Sequence, residues 1–216
     1  MLAHGMLANA NHSLKKVELD ANKEKVYDRL VDYLESEGYP TEADVDFNET
    51  NVSDLVYCIL ASVVSDFRRK TGRNVRLTRE KEIISTDNET GGREDFIVID
   101  RISVTENRVV LVMEAKKGST GEARKQCLLA MRDCWDNNDG MKEGNNDDAG
   151  VLYGFVTTGE DWAMIRYDGS TFEMTNQFTV MFETMGEEKE RWLEGYYIVV
   201  DCMCCALSDG GMVKKD

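Results

Sequence analysis

The sequence predicts a mixed α/β fold in which a central mixed sheet is flanked by helices. Apolar residues recur at helical spacing over residues 51–71. Two continuous apolar runs, at 96–99 and 109–113, are typical of strands that are buried on both faces. A second helical stripe over 121–136 precedes further short strands. The expected core order is therefore helix, three strands, helix and strand.

The composition is that of a folded protein. Of the 216 residues, 42% are hydrophobic and 31% are charged, so the chain can bury a core and is not disordered as a whole. Its apolar runs are far shorter than the roughly 20 residues that span a membrane. The first eleven residues lack the features of a signal peptide. We therefore expect an intracellular protein, cytoplasmic or nuclear, without a membrane partner.

The N-terminal part is acidic and has a helical pattern. Val26, Leu30 and Leu34 recur every four residues, and the sequence Gly38-Tyr39-Pro40 ends the run. This pattern predicts a surface helix that packs on another element. The expected division of the chain is an acidic helical extension over 1–50, a core domain over 51–180 and a C-terminal extension over 181–216 that packs on the core.

The first core helix is predicted over 51–71. Asn51 or Ser53 can cap its start, and Gly72 follows a basic last turn that complements the helix dipole. Its apolar stripe consists of Leu55, Ile59, Val63 and Phe67.

The period changes from helix to strand at residue 74. Val75 and Leu77 alternate with polar residues, and the apolar runs 96–99 and 109–113 follow, separated by a polar turn near 105–107. After the helix at 121–136 comes a loop over 136–150. Short strands are then expected at 151–157, 162–167 and 172–174, and segment 195–207 reads equally as strand or helix.

Residue counts exclude several kinds of chemistry. The two histidines, His4 and His12, lie in an N-terminal stretch that we expect to be poorly ordered, which argues against Ser-His-Asp and Cys-His sites. The six cysteines form no CxxC pair, so we expect them to be reduced and mostly buried. A soft-metal or redox site at Cys202-Met203-Cys204-Cys205 is the alternative. No glycine-rich phosphate loop is present.

The informative residues stand at the end of the third strand, in Glu114-Ala115-Lys116. Side chains alternate along a strand, so Glu114 and Lys116 point the same way. If the second and third strands form a hairpin, the position numbers of Asp95 and Glu114 sum to 209, which places the turn centre at 104.5, within a polar stretch. Asp100 is the alternative partner of Glu114, although that pairing would move the turn of the hairpin towards the apolar run at 109–113. Two carboxylates are thus expected beside a lysine.

Such a cluster suits a hard divalent cation. Two carboxylates and the backbone carbonyl of Ala115 are oxygen ligands of the kind that Mg2+ or Mn2+ prefers, and the ion would keep several waters. A bound ion lowers the pKa of a coordinated water and stabilises charge on a phosphate, while Lys116 orients the water or neutralises the phosphate. The pattern therefore favours phosphodiester hydrolysis without histidine.

These residues resemble the PD-(D/E)XK nuclease superfamily. The resemblance covers roughly residues 51–175 and rests on Asp95, the hairpin and Glu114-Ala115-Lys116, set between the two predicted helices. It implies a restriction endonuclease-like αβββαβ core. It also implies that Asp95 and Glu114 are metal ligands, that Ala115 is a carbonyl ligand and that Lys116 is the catalytic lysine.

Three further positions bear on the resemblance to this family. Glu94 stands before Asp95 where the family pattern has proline, and only Asp54 and Asp66 are available on the first core helix, where many members have a glutamate. Gln126 matches a glutamine that some members carry on the following helix and is included among the candidate catalytic residues. An exposed helix glutamine is the alternative interpretation of Gln126.

The charge distribution bears on nucleic-acid binding. The net charge of −15 should repel a polyanion, but residues 68–132 carry 15 Lys and Arg against 10 Asp and Glu, a net charge of +5, and the rest of the chain carries −20. A solvated basic face is the alternative interpretation. The candidate nucleic-acid-binding residues are Arg68, Arg69, Lys70, Arg73, Lys117, Arg124 and Lys125.

The expected function is a metal-dependent nuclease that acts on DNA, with Mg2+ or Mn2+ as cofactor. Protein partners and a homodimer stay open. One alternative is a catalytically inactive domain of the same fold that binds nucleic acid or protein. Another is a small acidic interaction module in which Glu114 and Lys116 form only a surface ion pair worth about 0–1 kcal/mol.

Overall fold

A seven-stranded mixed sheet lies between two layers of helices in the part of the chain that the structure describes. The structure is a computed structural model, and it describes residues 3–8, 16–40, 47–84, 91–104, 106–118, 120–137 and 150–211. The predicted mixed α/β class, with a central mixed sheet flanked by helices, is confirmed. None of the described helices is long and apolar enough to cross a membrane.

The strands lie side by side in chain order from β1 to β6. Only the β3–β4 pair is parallel, and the other pairs, including β7 on β5, are antiparallel. A parallel pair needs a crossover connection, which α4 (Thr120–Asn137) supplies. The strands are β1 (Val75–Ile84), β2 (Gly91–Arg101), β3 (Asn107–Ala115), β4 (Leu152–Thr157), β5 (Asp161–Tyr167), β6 (Phe172–Met174) and β7 (Phe178–Thr179).

Each face of the sheet packs against its own helices. One face buries α4, and Gly154 on β4 allows close approach there because a Cβ would contact Cys127 and Met131. The other face buries the remaining α-helices in a larger core that includes Phe67, Phe155 and Trp192. These helices are α1 (Ala3–Ala8), α2 (Lys16–Glu37), α3 (Glu49–Thr71), α5 (Lys189–Gly195) and α6 (Ile198–Asp209).

Helix α3 begins two residues earlier than predicted. Asn48 caps it, since its side chain accepts a hydrogen bond from the Thr50 N–H while the Asn51 side chain accepts one from the Asn48 N–H. The helix ends at Gly72, which adopts a left-handed φ of 74°. The earlier start brings Glu49 into the first turn.

The β2–β3 register agrees with the predicted hairpin. Phe96 pairs with Met113 and Val98 pairs with Leu111, and each pair sums to 209. A bulge after Val98 shifts the later pairs, so Asp100 pairs with Arg108. The regular pairing ends at Phe96 and Met113, one residue short of Asp95 and Glu114, and Asp100 lies at the other end of the hairpin.

Two other expectations are resolved by the structure. The segment 195–207, open between strand and helix, forms most of α6, whose cysteines are buried and unbridged. The N-terminal stretch expected to be poorly ordered contains α1, which packs on α6. His12 and most of the loop predicted over 136–150 lie outside the described residues.

Candidate active site

Asp95 is held where β2 and β3 end their pairing. Its Oδ2 atom accepts a hydrogen bond of 2.8 Å from the backbone N–H of Ala115. Burial raises the pKa of Asp95, although the Ala115 N–H and the nearby Lys116 act in the opposite direction. The carboxyl group is therefore fixed in position beside the end of β3.

Glu114 shares a buried site with Glu94. The two residues are 2% and 4% exposed, and their carboxyl groups lie within hydrogen-bonding reach of each other. Burial raises the pKa of both, and the neighbouring Glu94 raises that of Glu114 further. Two carboxylates in one low-dielectric site cannot both ionise without a compensating cation, so the pair holds a proton at neutral pH.

One oxygen of each of these glutamates has no partner. Glu94 Oε2 and Glu114 Oε1 are buried and accept no hydrogen bond within the described ranges. An unsatisfied buried oxygen is costly, and native proteins rarely leave one without a proton, water or ion. Each carboxyl group of the pair therefore has one oxygen that a proton, a water or an ion can satisfy.

Lys116 bridges the end of β3 and the start of α3. Its Nζ atom lies 2.8 Å from Glu49 Oε1. Burial by itself lowers the pKa of Lys116, but the Glu49 contact and the carboxyl groups of Asp95 and Glu114 raise it above the ordinary value. Lys116 is thus an ammonium at neutral pH, and it can donate hydrogen bonds but cannot act as a general base.

A groove of about 290 Å³ lies at the segment that follows β3, and Asp95, Glu114 and Lys116 do not line it. It is lined by the starts of α3 and α4 and by the β4–β5 turn, and Lys117 forms part of its wall. The Lys117 ammonium donates a hydrogen bond to the Phe47 carbonyl, so this predicted nucleic-acid contact is anchored to the segment before α3. Glu160 and Asp161 add negative charge to the same groove.

The remaining candidates on α4 are not gathered at the site. Gln126 is exposed and makes no side-chain hydrogen bond to a described residue, whereas its neighbour Cys127 is buried, and burial together with the nearby charges of Glu114 and Glu94 raises its pKa. Lys125 is exposed, and Arg124 is half-buried with an Nε atom that has no described partner. Both basic residues lie near the start of α4, the helix that follows β3 in the chain.

Four predicted nucleic-acid-binding residues lie far from the cluster. Arg68, Arg69, Lys70 and Arg73 are at the C-terminal end of α3, whereas Glu49 is in its first turn. The 19 residues from Glu49 to Arg68 span about 28 Å of helix. These four residues were predicted to bind nucleic acid as part of the basic core, and the length of α3 separates them from the cluster.

Arg73 has a structural role in this arrangement. Its Nη2 atom lies 2.7 Å from Asp100 Oδ2, and its guanidinium also donates to the carbonyls of Ser208 and Gly210 at the end of α6. Because its donors are committed to these acceptors, Arg73 ties α6 to the sheet.

Sequence reasoning did not find Glu49 and Glu94. The spacing of Asn48 and Asn51 fits a capping box and could have placed Glu49 in the first helical turn. Glu94 is visible beside Asp95, but no sequence signal shows that it turns towards Glu114.

The site offers the donor types that a hard cation needs. Glu114 and Asp95 present carboxyl oxygens, Ala115 between Glu114 and Lys116 carries a backbone carbonyl, and Glu94 adds an unpartnered oxygen. Within the described ranges, no three His, Cys, Asp or Glu side chains converge closely enough to chelate an ion by themselves. Side-chain oxygens completed by a carbonyl and several waters correspond to the way that proteins bind Mg2+.

Comparison of the chain with protein-family models and with curated proteins found no match.

Proposed function

We propose that this chain is a metal-dependent nuclease-like protein that hydrolyses phosphodiester bonds of DNA. The observation that carries the proposal is the meeting of Asp95, Glu114 and Lys116 at the end of β3, beside the first turn of α3. Hard oxygen donors and a fixed ammonium are the groups that phosphodiester hydrolysis requires when histidine is absent.

The order of elements supports a restriction endonuclease-like core. Helix α3, the strands β1 to β3, helix α4 and strand β4 follow one another as the resemblance to the PD-(D/E)XK superfamily implies. The parallel β3–β4 pair brings Thr157 next to Ala115, so the ends of both strands lie at the proposed site.

Asp95, Glu114 and the carbonyl of Ala115 would hold the Mg2+ or Mn2+ ion, with Glu94 beside them. When bound, the ion would supply positive charge that stabilises the phosphate and lowers the pKa of a coordinated water. Glu94 and Glu114 would release their shared proton as the ion enters, because carboxyl groups bind metal in the ionised form.

Lys116 supplies the fixed donor of the proposed site. Its ion pair with Glu49 restricts the ammonium, and the surrounding carboxyl groups keep it protonated. In this role it donates a hydrogen bond to a phosphate oxygen or to the attacking water, and no reorganisation is needed at the moment of reaction.

The test is a cleavage assay with purified protein and Mg2+ or Mn2+ on duplex, single-stranded and branched DNA. Wild type should cleave at least one of these, and Lys116→Ala and Asp95→Asn should each lower the rate by about 100-fold or more. Glu122→Gln, an exposed change in the first turn of α4, is the control. If wild type and both site variants are folded and equally inert, the enzyme proposal fails.

A catalytically inactive module that binds nucleic acid or protein is the second candidate. The ion pair of Lys116 with Glu49 and the mutual contact of Glu94 and Glu114 favour it, because these groups satisfy one another without substrate. DNA binding without cleavage, whichever divalent metal is added, would support this candidate. Divalent-metal calorimetry then tests the site itself, since side chains that only satisfy one another predict no heat that depends on Glu114.

A further inference from the structure

A second polar groove lies at the C-terminal end of α3, away from the acidic cluster. It has a volume of about 440 Å³. We name it the arginine groove, and its lining residues are Ser65, Arg68, Arg69, Gly72, Arg73 and Asn74. Three of these six residues are arginines, whose planar guanidinium groups carry N–H donors that match the oxygens of a phosphate.

The charges in and around the arginine groove are only partly neutralised. Arg73 is balanced by Asp100 and held in place. Asp66 contacts both Arg69 and Lys70, so one carboxylate serves two cations. The Arg68 side chain has no hydrogen-bond or ion-pair partner in the part of the chain that the structure describes, and the Arg69 side chain is 60% exposed. An excess of positive charge therefore faces solvent.

Strand β1 connects the arginine groove to the acidic cluster. Asn74 lines the groove just before β1 begins. Further along, Arg79 pairs with Phe96 and Lys81 pairs with Glu94, so Glu80 is level with Asp95. The six residues from Asn74 to Glu80 span about 20 Å of strand.

An exposed cation lies between the two ends of this path. The Arg79 side chain is 43% exposed, and it contacts Asp54 at 2.8 Å and the face of the Tyr57 ring. Positive groups thus occur at the far end of this path of about 20 Å and, at Arg79, one residue before its end at the proposed catalytic cluster.

We propose that the arginine groove binds a backbone phosphate of the nucleic acid, about six base pairs from the bond that is cleaved. The distance follows from about 20 Å of strand and a rise of about 3.4 Å per base pair. Such contacts position the duplex and carry no sequence information. The identity of the ligand rests on the proposed function, whereas the groove and its charges do not.

The test measures DNA binding without divalent metal, so that cleavage plays no part. A labelled duplex of about 30 base pairs is titrated with wild type, with Arg68→Ala/Arg69→Ala and with the control Lys189→Ala/Arg191→Ala. The control removes two cations of similar exposure from α5. The arginine-groove variant should bind the duplex about 10-fold more weakly. The slope of its log binding constant against log salt concentration should decrease in magnitude by about one for each phosphate that the protein no longer neutralises. The control should change by less than about twofold.

Loss of folding is checked with a second variant. Arg68→Gln alone removes no described side-chain hydrogen bond or ion pair, so it should change the melting temperature little and still weaken duplex binding. If either folded variant binds the duplex as tightly as the control, the arginine-groove proposal is overturned.

The outcomes separate this proposal from the proposed function. Cleavage that depends on Lys116 together with unchanged duplex binding by the arginine-groove variants would keep the nuclease and reject the groove. In a second arm, inorganic pyrophosphate is titrated while the Nε–H resonances of Arg68 and Arg69 are followed by NMR. If these resonances shift but no duplex binds, the nucleic-acid ligand is rejected in favour of a small phosphorylated one.

Discussion

The ammonium of Lys116 lies 2.8 Å from the carboxylate of Glu49, and this contact joins the end of β3 to the first turn of α3. The lysine side chain is 24% exposed and the glutamate 54% exposed, so the pair sits at the mouth of the site. The contact positions the ammonium beside Asp95 and Glu114, although half-exposed ion pairs contribute little to stability.

Glu49→Gln should lower the pKa of Lys116 towards its ordinary value, because the Glu49 contact is the strongest influence that raises it. The free energy of unfolding should change by no more than about 1 kcal/mol, since the pair is partly exposed. NMR titration of the lysine side chain measures the first effect and urea denaturation the second. Glu122→Gln removes the same charge from the first turn of α4 and should leave the Lys116 pKa unchanged.

The stability of the wild type should fall as the pH rises from about 5 towards 9. The folded-state pKa values of Glu94 and Glu114 are raised, so the folded protein holds more protons than the unfolded chain. The stabilising contribution of these bound protons is fully present below the pKa that the two glutamates have in the unfolded chain. It is lost as the pH rises through their raised pKa in the folded protein. Each proton contributes a slope of at most about 1.4 kcal/mol per pH unit.

Glu94→Gln should reduce that slope and stabilise the metal-free protein at pH 8, because a glutamine can donate to Glu114 without a shared proton. Urea denaturation at pH 5, 7 and 9 measures both effects. The exposed Glu190→Gln should keep the wild-type slope. A slope that is equal in wild type and Glu94→Gln would show that the pair does not share a proton.

Divalent metal should raise the melting temperature of the wild type. At Mg2+ or Mn2+ about tenfold above Kd, the expected gain is about 1.4 kcal/mol. Glu114→Gln and Asp95→Asn should lose most of this shift, since each removes a charged oxygen ligand. A thermal melt in EDTA provides the reference, and an equal shift in wild type and both variants would mean that the metal binds elsewhere.

Arg73→Ala should destabilise the fold by roughly 2–4 kcal/mol, because it leaves Asp100 and the carbonyls at the end of α6 without their donor. Arg69→Ala, which removes an exposed pair with Asp66, should cost no more than about 1 kcal/mol. Urea denaturation compares the two. Similar small losses in both variants would contradict the structural role of Arg73.

Much of the fold follows from local patterns. The spacing of Leu55, Ile59 and Val63 predicts α3, and the apolar runs predict β2 and β3, because burial imposes these periods on short stretches of chain. The hairpin arithmetic places Asp95 beside Glu114 because the turn and the register of adjacent strands are coupled.

Contacts between distant parts of the chain follow no such rule. Glu49 meets Lys116 across 67 positions of sequence, and this depends on how α3 packs on the sheet. Glu94 approaches Glu114 where the regular β2–β3 pairing has already ended. The basic residues at the end of α3 lie far from Glu114, since a rigid helix of 23 residues carries its two ends far apart. Local periodicity therefore decides the elements and the Asp95–Glu114 pair, whereas helix packing decides which other charges join them.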